Sequence, residues 1–484
     1  MHPSQRSPYE ERPYTSTSGA GPSPSASLAA TPEQLSARAK ILTSFSPGKS
    51  APLVDPDVES AVDNGKHVPD QSSVTKILLL ENVNEVGIKQ LKDQNYQVDT
   101  EKGSLSEDEL IARLREGNYQ ALGIRSKTQV TAKVIEAAKS LLVIGCFCIG
   151  TNQVDLLACA RAGIAVFNSP FSNSRSVAEL VISEIVALSR QLVDRAVELR
   201  NGEWNKVSKG CYEVRGKTLG IVGYGHIGSQ LSVLAEAMGM NVIYYDIIPM
   251  MPLGSATAVD SLDELLREAD FITLHVPELE ETKNMIGKRE IQLMKKGSYL
   301  INNARGTVVD LEALADGLES GHLGGAAVDV FPKEPAKNGP FFNANLNTVA
   351  PRLSKAFNLI LTPHIGGSTE EAQRAIGIEV ASALIRYINF GNTLGSVNFP
   401  EVTLRPIIAD GMIRLCYVHL NRPGVLRAVN AVLGEYNVER QLSDSKGDIA
   451  YLMADIADVG SEGVRQVYDE IQGLPAGVAT RVLF

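Results

Sequence analysis

The sequence has no long apolar run: nothing in it approaches the roughly 20 residues that a membrane-spanning helix needs. Its N-terminus has neither the hydrophobic core of a secretory signal nor the Arg-rich, acid-poor composition of an organelle transit peptide, so a cytoplasmic address is the expectation. Cysteine is scarce, with 5 in 484 residues. Cys146, Cys148, Cys159, Cys211 and Cys416 are odd in number, scattered and without paired metal-ligand spacing, which argues against a disulfide framework and a zinc cluster. Cys146 and Cys148 alternate within an apolar run and read as buried, reduced thiols. No metal is expected. A basic surplus is also missing: 46 Lys and Arg stand against 56 Asp and Glu, a formal net charge of −10. General nucleic-acid binding needs the opposite balance. An anionic substrate would therefore have to find a positive island on an acidic protein.

What is present is enough apolar material, 44% of residues, for several cores, and a length that suits about three domains. Residues 1–73 are rich in Ser, Pro, Thr, Ala and Gly and read as a disordered tail, with a short helix over 32–42 and a Ser46-Pro47 pair open to phosphorylation. From Lys76 onward, apolar runs at 78–80, 121–124, 141–144 and 164–167 alternate with helix-period segments at 85–92, 107–115, 132–138 and 155–162. That alternation indicates a parallel sheet with helices on both faces. A second α/β unit starts at Lys217, with strands expected at 218–222, 242–245, 271–275, 299–302, 326–330 and 359–361. One of its helices is opened by a capping-box pattern from Ser261 to Glu264. The helical stretch 369–388 then leads back to the first unit, so the second is inserted within it. Boundaries follow at 74–174 with 368–400 for the first and 175–367 for the second. After a linker over 397–406, residues 411–484 carry the order β-α-β-β-α-β of a split βαβ fold. At roughly 70 residues this last unit has a marginal core alone and should gain from pairing with a partner.

The chemistry-bearing residues sit where strands end. Gly223-Tyr224-Gly225-His226-Ile227-Gly228 follows a strand and opens a helix, the context in which glycines admit a pyrophosphate to the positive helix N-terminus. Asp246 ends the next strand, placed for ribose hydroxyls and against a 2′-phosphate, which favours NAD over NADP. Arg305 follows another strand, in Asn302-Asn303-Ala304-Arg305-Gly306. Its planar fork suits a substrate carboxylate. His364 follows a third strand and precedes Gly366-Gly367. An imidazole takes and returns a proton near neutral pH, and Glu334, between Pro332 and Pro335, is the carboxylate that could bond it and favour the imidazolium. His226, His275 and His322, the last closing a helix, read as structural.

These residues, with the stretches 144–155, 170–179, 274–278, 303–310 and 362–369, resemble the D-isomer-specific 2-hydroxyacid dehydrogenases from about Lys76 onward. The resemblance implies NAD-dependent oxidation of D-3-phosphoglycerate to 3-phosphooxypyruvate, the first step of L-serine formation, with side reduction of 2-oxoglutarate. It places Arg305, Glu334 and His364 as catalytic and Asp329 at the nicotinamide carboxamide. Ala304 and Gly366 also fall beside the cofactor. Arg125, Ser126 and Lys127 carry over to the substrate phosphate, with Lys127 where relatives often have arginine. Asn173, Ser174 and Lys206 are further substrate candidates. Residues 418–426 are similar to the effector motif of an ACT regulatory domain. By that likeness His419, Asn421, Gly424 and Asn437 would bind L-serine, although an ungapped reading puts Glu439 in place of Asn437. A homo-oligomer, a tetramer in this family, is implied. Other readings are a different 2-hydroxyacid dehydrogenase, such as a glyoxylate reductase, and an NAD-sensing corepressor built on the same fold.

Overall fold

The computed structural model describes residues 74–335, 338–407 and 411–484. The expected tail, its helix and the Ser46-Pro47 pair lie outside them. Three sheets organise the described residues. The first contains β1 (Lys76–Leu79), β2 (Gln97–Thr100), β3 (Ala121–Ile124), β4 (Val143–Cys146) and β5 (Ala165–Phe167), all parallel, in the order β2-β1-β3-β4-β5. β3, β4 and β5 are buried at every residue, as strands covered on both faces must be. β2 is the exception. It is an edge strand, Gln-Val-Asp-Thr, with no apolar run, and the sequence pattern passed over it.

The second sheet is built from β6 (Thr218–Val222), β7 (Asn241–Tyr245), β8 (Thr257–Ala258), β9 (Phe271–Leu274), β10 (Ser298–Asn302), β11 (Leu323–Val328) and β12 (Leu359–Leu361). Its order, β12-β11-β10-β9-β6-β7-β8, reverses direction beside β6. Such a reversal opens a crevice at the carboxyl ends of the strands, where open α/β sheets take ligands. β9 ends at Leu274, so His275 lies just beyond it, and His322 lies past the helix Leu311–Glu319 rather than closing it. At Ser261 half of the expected capping box forms. Its hydroxyl accepts from the Glu264 amide, but the Glu264 carboxylate turns to the Asp260 N–H.

Two helices join the units. Ser174–Ser189 buries Val177, Val181, Ile185 and Leu188 against the second sheet. Glu370–Phe390 returns the chain to the first sheet. It crosses the helix Glu85–Lys92 where Gly87 faces Gly377: a Cβ on Gly87 would stand 2.8 Å from the Gly377 carbonyl oxygen, so only glycine permits this approach.

The third sheet is antiparallel, in the order β14-β15-β13-β16, from β13 (Ile413–Leu420), β14 (Asn437–Lys446), β15 (Ile449–Ala457) and β16 (Gly477–Leu483). Helices Val425–Leu433 and Ser461–Gln472 complete the expected β-α-β-β-α-β order, the first ending three residues earlier than its sequence pattern. One face of this sheet packs on its own helices. Through Cys416, Tyr451 and Leu483 the other face joins Tyr387 and Phe399 in the core that also holds Ile77 and Leu79. The small core is thus completed within the same chain. Polar bonds reinforce the seam, because the last carbonyls of a helix have no partner inside it. Arg481 donates to the Tyr387 and Ile388 carbonyls, Arg414 to that of Phe390, and the Tyr451 hydroxyl to that of Gly391. Arg414 is fully buried and neutralised by Asp455 at 2.6 Å.

Among the described residues no helix is long and apolar enough to cross a membrane. The five cysteines are unpaired.

Candidate active site

β6 runs directly into the glycine turn, and each glycine has a separate reason to be there. Gly223 has φ 91°, and a Cβ on it would lie 2.5 Å from the His275 carbonyl oxygen. At Gly228 a Cβ would lie 2.3 Å from the Gly223 carbonyl oxygen, so this glycine lets the helix His226–Ala237 pack on the strand. Around Gly225 nothing would be met within 4 Å. That open space beside a helix N-terminus is what a pyrophosphate requires, and the residues fit NAD on this ground. The Tyr224 ring is wholly buried, stacked on Tyr244 at 3.9 Å, so only its backbone belongs to the turn. The Asp246 carboxylate accepts from the Tyr224 N–H at 2.8 Å and the Ile248 N–H at 3.0 Å. Each oxygen keeps a lone pair for a ribose hydroxyl. Ile227 packs into the core beneath the turn, while the His226 ring stacks on Phe171 at 3.7 Å.

At the end of β10 the Asn302 side chain shapes the next turn. Its oxygen accepts from the Ala304 N–H at 3.2 Å and its amide donates to the Arg305 carbonyl at 3.0 Å. Gly306 then passes so close to the backbone of Phe331 that a Cβ would fall 2.0 Å from its carbonyl carbon. This contact brings the arginine's turn against the segment that carries Glu334. Arg305 is half-buried and donates to the Ala304 carbonyl at 2.7 Å, leaving most of its five donors for a ligand.

His364 adopts φ 55°, a left-handed conformation that costs a non-glycine residue energy and persists only where neighbours enforce it. Asp329 enforces it. Its carbonyl accepts the His364 N–H at 2.8 Å, and its buried carboxylate accepts from Thr362 Oγ1 at 2.6 Å and from the Ile365 and Gly366 amides at 2.8 Å each. Beyond the bend, the imidazole Nδ1 lies 3.0 and 2.9 Å from the two Glu334 oxygens, one of which also accepts from the Phe331 N–H. A carboxylate only accepts, so Nδ1 carries the proton and Nε2 faces outward to accept another. This bond raises the His364 pKa, with burial and Arg305 opposing it. Burial pushes the Glu334 pKa up, but the His364 bond and charge outweigh it and hold the group below its ordinary value.

Opposite, in the first α/β unit, Arg125, Ser126, Lys127 and Thr128 follow β3. Glu81 fixes their path by accepting from the Lys127 and Thr128 amides at 3.0 and 2.8 Å. Among the described residues the side chains of Arg125 and Lys127 have no hydrogen-bond or ion-pair partner. Burial drives the Cys148 thiol up to about 11, while the positive charges of Arg125 and Arg305 both act to lower it. Both guanidiniums are therefore near enough to one thiol for their charges to act on it. Asn173 and Ser174 are buried at the head of the joining helix, where a Cβ on Gly367 would meet the Asn173 amide at 2.4 Å. Lys206 is exposed on the segment before β6, and no bond ties it to His364.

In the third unit His419 is buried, its Nδ1 bonded to the Leu420 carbonyl at 2.9 Å and its Nε2 without a partner. Asn421 reaches the Gly447 carbonyl at 3.3 Å, and Gly424 has φ 90° at the head of its helix. Asn437 is exposed at the start of β14, two residues before Glu439, where the pairing with β15 slips. Sequence reasoning passed over Glu81, Phe171 and Glu184. The last carried a visible signal, a charge on the apolar face of Leu180–Leu188.

Residues 182–366 match the model of the D-isomer specific 2-hydroxyacid dehydrogenase NAD-binding domain. The chain is 57% identical over 411 residues to D-3-phosphoglycerate dehydrogenase 2 of Saccharomyces cerevisiae, covering 84% of this chain and 87% of that one. It is 47% identical over 412 residues to D-3-phosphoglycerate dehydrogenase of Escherichia coli K12, covering 84% and 97%. A D-lactate dehydrogenase from Aquifex aeolicus, solved with NAD and lactic acid, superposes with a TM-score of 0.57 at 28% identity, over 67% of this chain and all of that one.

Proposed function

The chain belongs to the D-isomer specific 2-hydroxyacid dehydrogenase family, and from that premise we infer that it is an NAD-dependent enzyme that oxidises D-3-phosphoglycerate to 3-phosphooxypyruvate. The observation that carries this reading is the His364–Glu334 bond set beside Arg305. Arg305 holds the substrate carboxylate and polarises the C2 oxygen through paired donors. His364 Nε2 takes the proton of the C2 hydroxyl, and the imidazolium so formed is stabilised by Glu334. NAD, when bound at the Gly223–Gly228 turn, supplies the acceptor for the hydride that leaves C2. Asp246 would hold its ribose, and Asp329, Ala304 and Gly366 would border its nicotinamide end.

Arg125 and Lys127 bind the phosphate, assisted by Ser126. Two cations without partners among the described residues, one of them acting with Arg305 on the same thiol, form the positive island that an anionic substrate needs on an acidic protein. Asn173 and Ser174 complete the carboxylate end. Initial rates with NAD and D-3-phosphoglycerate, D-lactate, D-glycerate or 2-hydroxyglutarate test the assignment. A strong preference for D-3-phosphoglycerate is expected, and a preference for an unphosphorylated acid would overturn the phosphate site.

The helix Leu192–Arg200 buries none of its residues, and it leaves Leu192, Val197 and Leu199 exposed near Trp204, which is 83% exposed. An apolar surface of this kind fits a homo-oligomer, a tetramer by family likeness. In the third unit, the unpartnered His419 Nε2 beside Asn421 and Gly424 supports binding of L-serine there.

A further inference from the structure

Glu184 lies on the joining helix Ser174–Ser189, only 3% exposed, among Val181, Ile185 and Leu188. Its Oε2 accepts from the Asn303 side-chain amide at 3.0 Å. Its other oxygen, Oε1, is buried without a partner, and so is the second polar atom of its partner, Asn303 Oδ1. Both leftover atoms are acceptors on planar groups that already share one bond. Two acceptors cannot satisfy each other, and a buried polar atom without a bond costs about 1–3 kcal/mol. One proton removes both deficits.

We propose that Glu184 is held as the neutral acid and donates from Oε1 to Asn303 Oδ1, closing a two-bond acid–amide pair that positions the Arg305 turn. The pair pins Asn303, two residues before the arginine, to the helix that joins the two α/β units. Neutrality also matters to the substrate. A second buried carboxylate near Asp329 would set a negative field against an incoming anion. The helix Ser174–Ser189 packs on β10, β11, β12 and the helix His226–Ala237, whose charged or titratable end groups are Arg305, Asp329, His364 and His226; of these Asp329 acts on the Glu184 charge. Burial raises the Glu184 pKa to about 8, the Asn303 bond lowers it and the charge of Asp329 raises it. Glu184 acts through Arg305, and its role is positioning.

The inference rests on the dehydrogenase reading for its kinetic test but not for its stability test. In the full chain, Glu184→Gln places a donor and an acceptor where the neutral acid has them. It should keep kcat at pH 7 within about twofold of the unmodified enzyme. Between pH 7 and 9 the KM of the unmodified enzyme for D-3-phosphoglycerate should rise about tenfold as Glu184 ionises, and that of Glu184→Gln should stay flat by comparison. The unfolded chain releases this proton near pH 4.5 and the folded chain only near 8, so the group costs stability increasingly across that window. Thermal melting without substrate should therefore show Glu184→Gln gaining on the unmodified protein from pH 5 to pH 8. Melting would separate failure of this inference from failure of the substrate assignment. A Gln variant that loses ground in melting as pH rises, or that keeps the same rise in KM, would overturn the proposal.

Discussion

The carbonyl oxygen of Asp329 accepts the N–H of His364 at 2.8 Å, and the Asp329 carboxylate accepts the amides of the two residues that follow the histidine. One buried side chain thus holds the left-handed bend that turns the imidazole toward Glu334. Asp329→Asn would present an N–H to at least one donor and loosen the bend. A displacement of about 1 Å at a reacting group costs on the order of a hundredfold in rate. We therefore expect kcat to fall by about that factor in Asp329→Asn, measured by steady-state kinetics. Unchanged kcat would mean that the bend is held by other contacts.

The His364–Glu334 bond sets a direction for the pH profile. Oxidation needs the neutral imidazole, and Glu334 raises the His364 pKa above its ordinary value. The kcat/KM for oxidation should rise with pH through that raised value. Glu334→Gln removes the charge, so the rise should move to lower pH while reduction, which starts from the imidazolium, loses rate at neutral pH. Paired profiles in the two directions check this, and a profile that does not move would place the titrating group elsewhere.

Gly306 makes the contact that joins Arg305 to the Glu334 segment. Gly306→Ala places a methyl 2.0 Å from the Phe331 carbonyl carbon, and the obstacle is backbone, which cannot swing aside. Overpacking of this kind costs about 1–3 kcal/mol or more. The variant should melt several degrees lower and raise the KM for D-3-phosphoglycerate through displacement of Arg305. A normal melting temperature with a normal KM would contradict the close approach.

The third sheet is bound into the catalytic unit by Arg481, which is 5% exposed and bonded to the Ile388 carbonyl at 2.8 Å. Arg481→Ala leaves the Ile388 carbonyl without its donor beneath the sheet and should cost about 1–3 kcal/mol in unfolding experiments. Deleting residues 412–484 should expose Tyr387 and its apolar surroundings and yield an unstable protein. A soluble, active truncated enzyme would show instead that the sheet is an appendage.

Much of this architecture was legible in the sequence because parallel strands covered on both faces are continuous apolar runs. β3, β4 and β9 stand out for that reason. β2 and β8 did not, being polar or only two residues long at sheet edges. The glycine turn and Asp246 were legible since their spacing follows from the geometry of one strand, one turn and one helix. The supports were not. Glu81 and Glu184 reach their partners across 46 and 119 positions of sequence, a distance no local pattern encodes. The tie between the third sheet and the helix Glu370–Phe390 was hidden for the same reason, because Arg414 and Arg481 meet carbonyls of the helix end that lie 24 and 93 positions away in sequence.

The central claim, proton transfer by His364 from D-3-phosphoglycerate, is tested most directly by the initial rate of NAD reduction with this substrate in the unmodified enzyme and in His364→Asn, with NAD affinity measured in parallel. Rapid turnover in the first, a kcat lowered by about 10²–10⁴-fold in the second and unchanged NAD affinity in both are expected. Near-normal turnover in His364→Asn would contradict it.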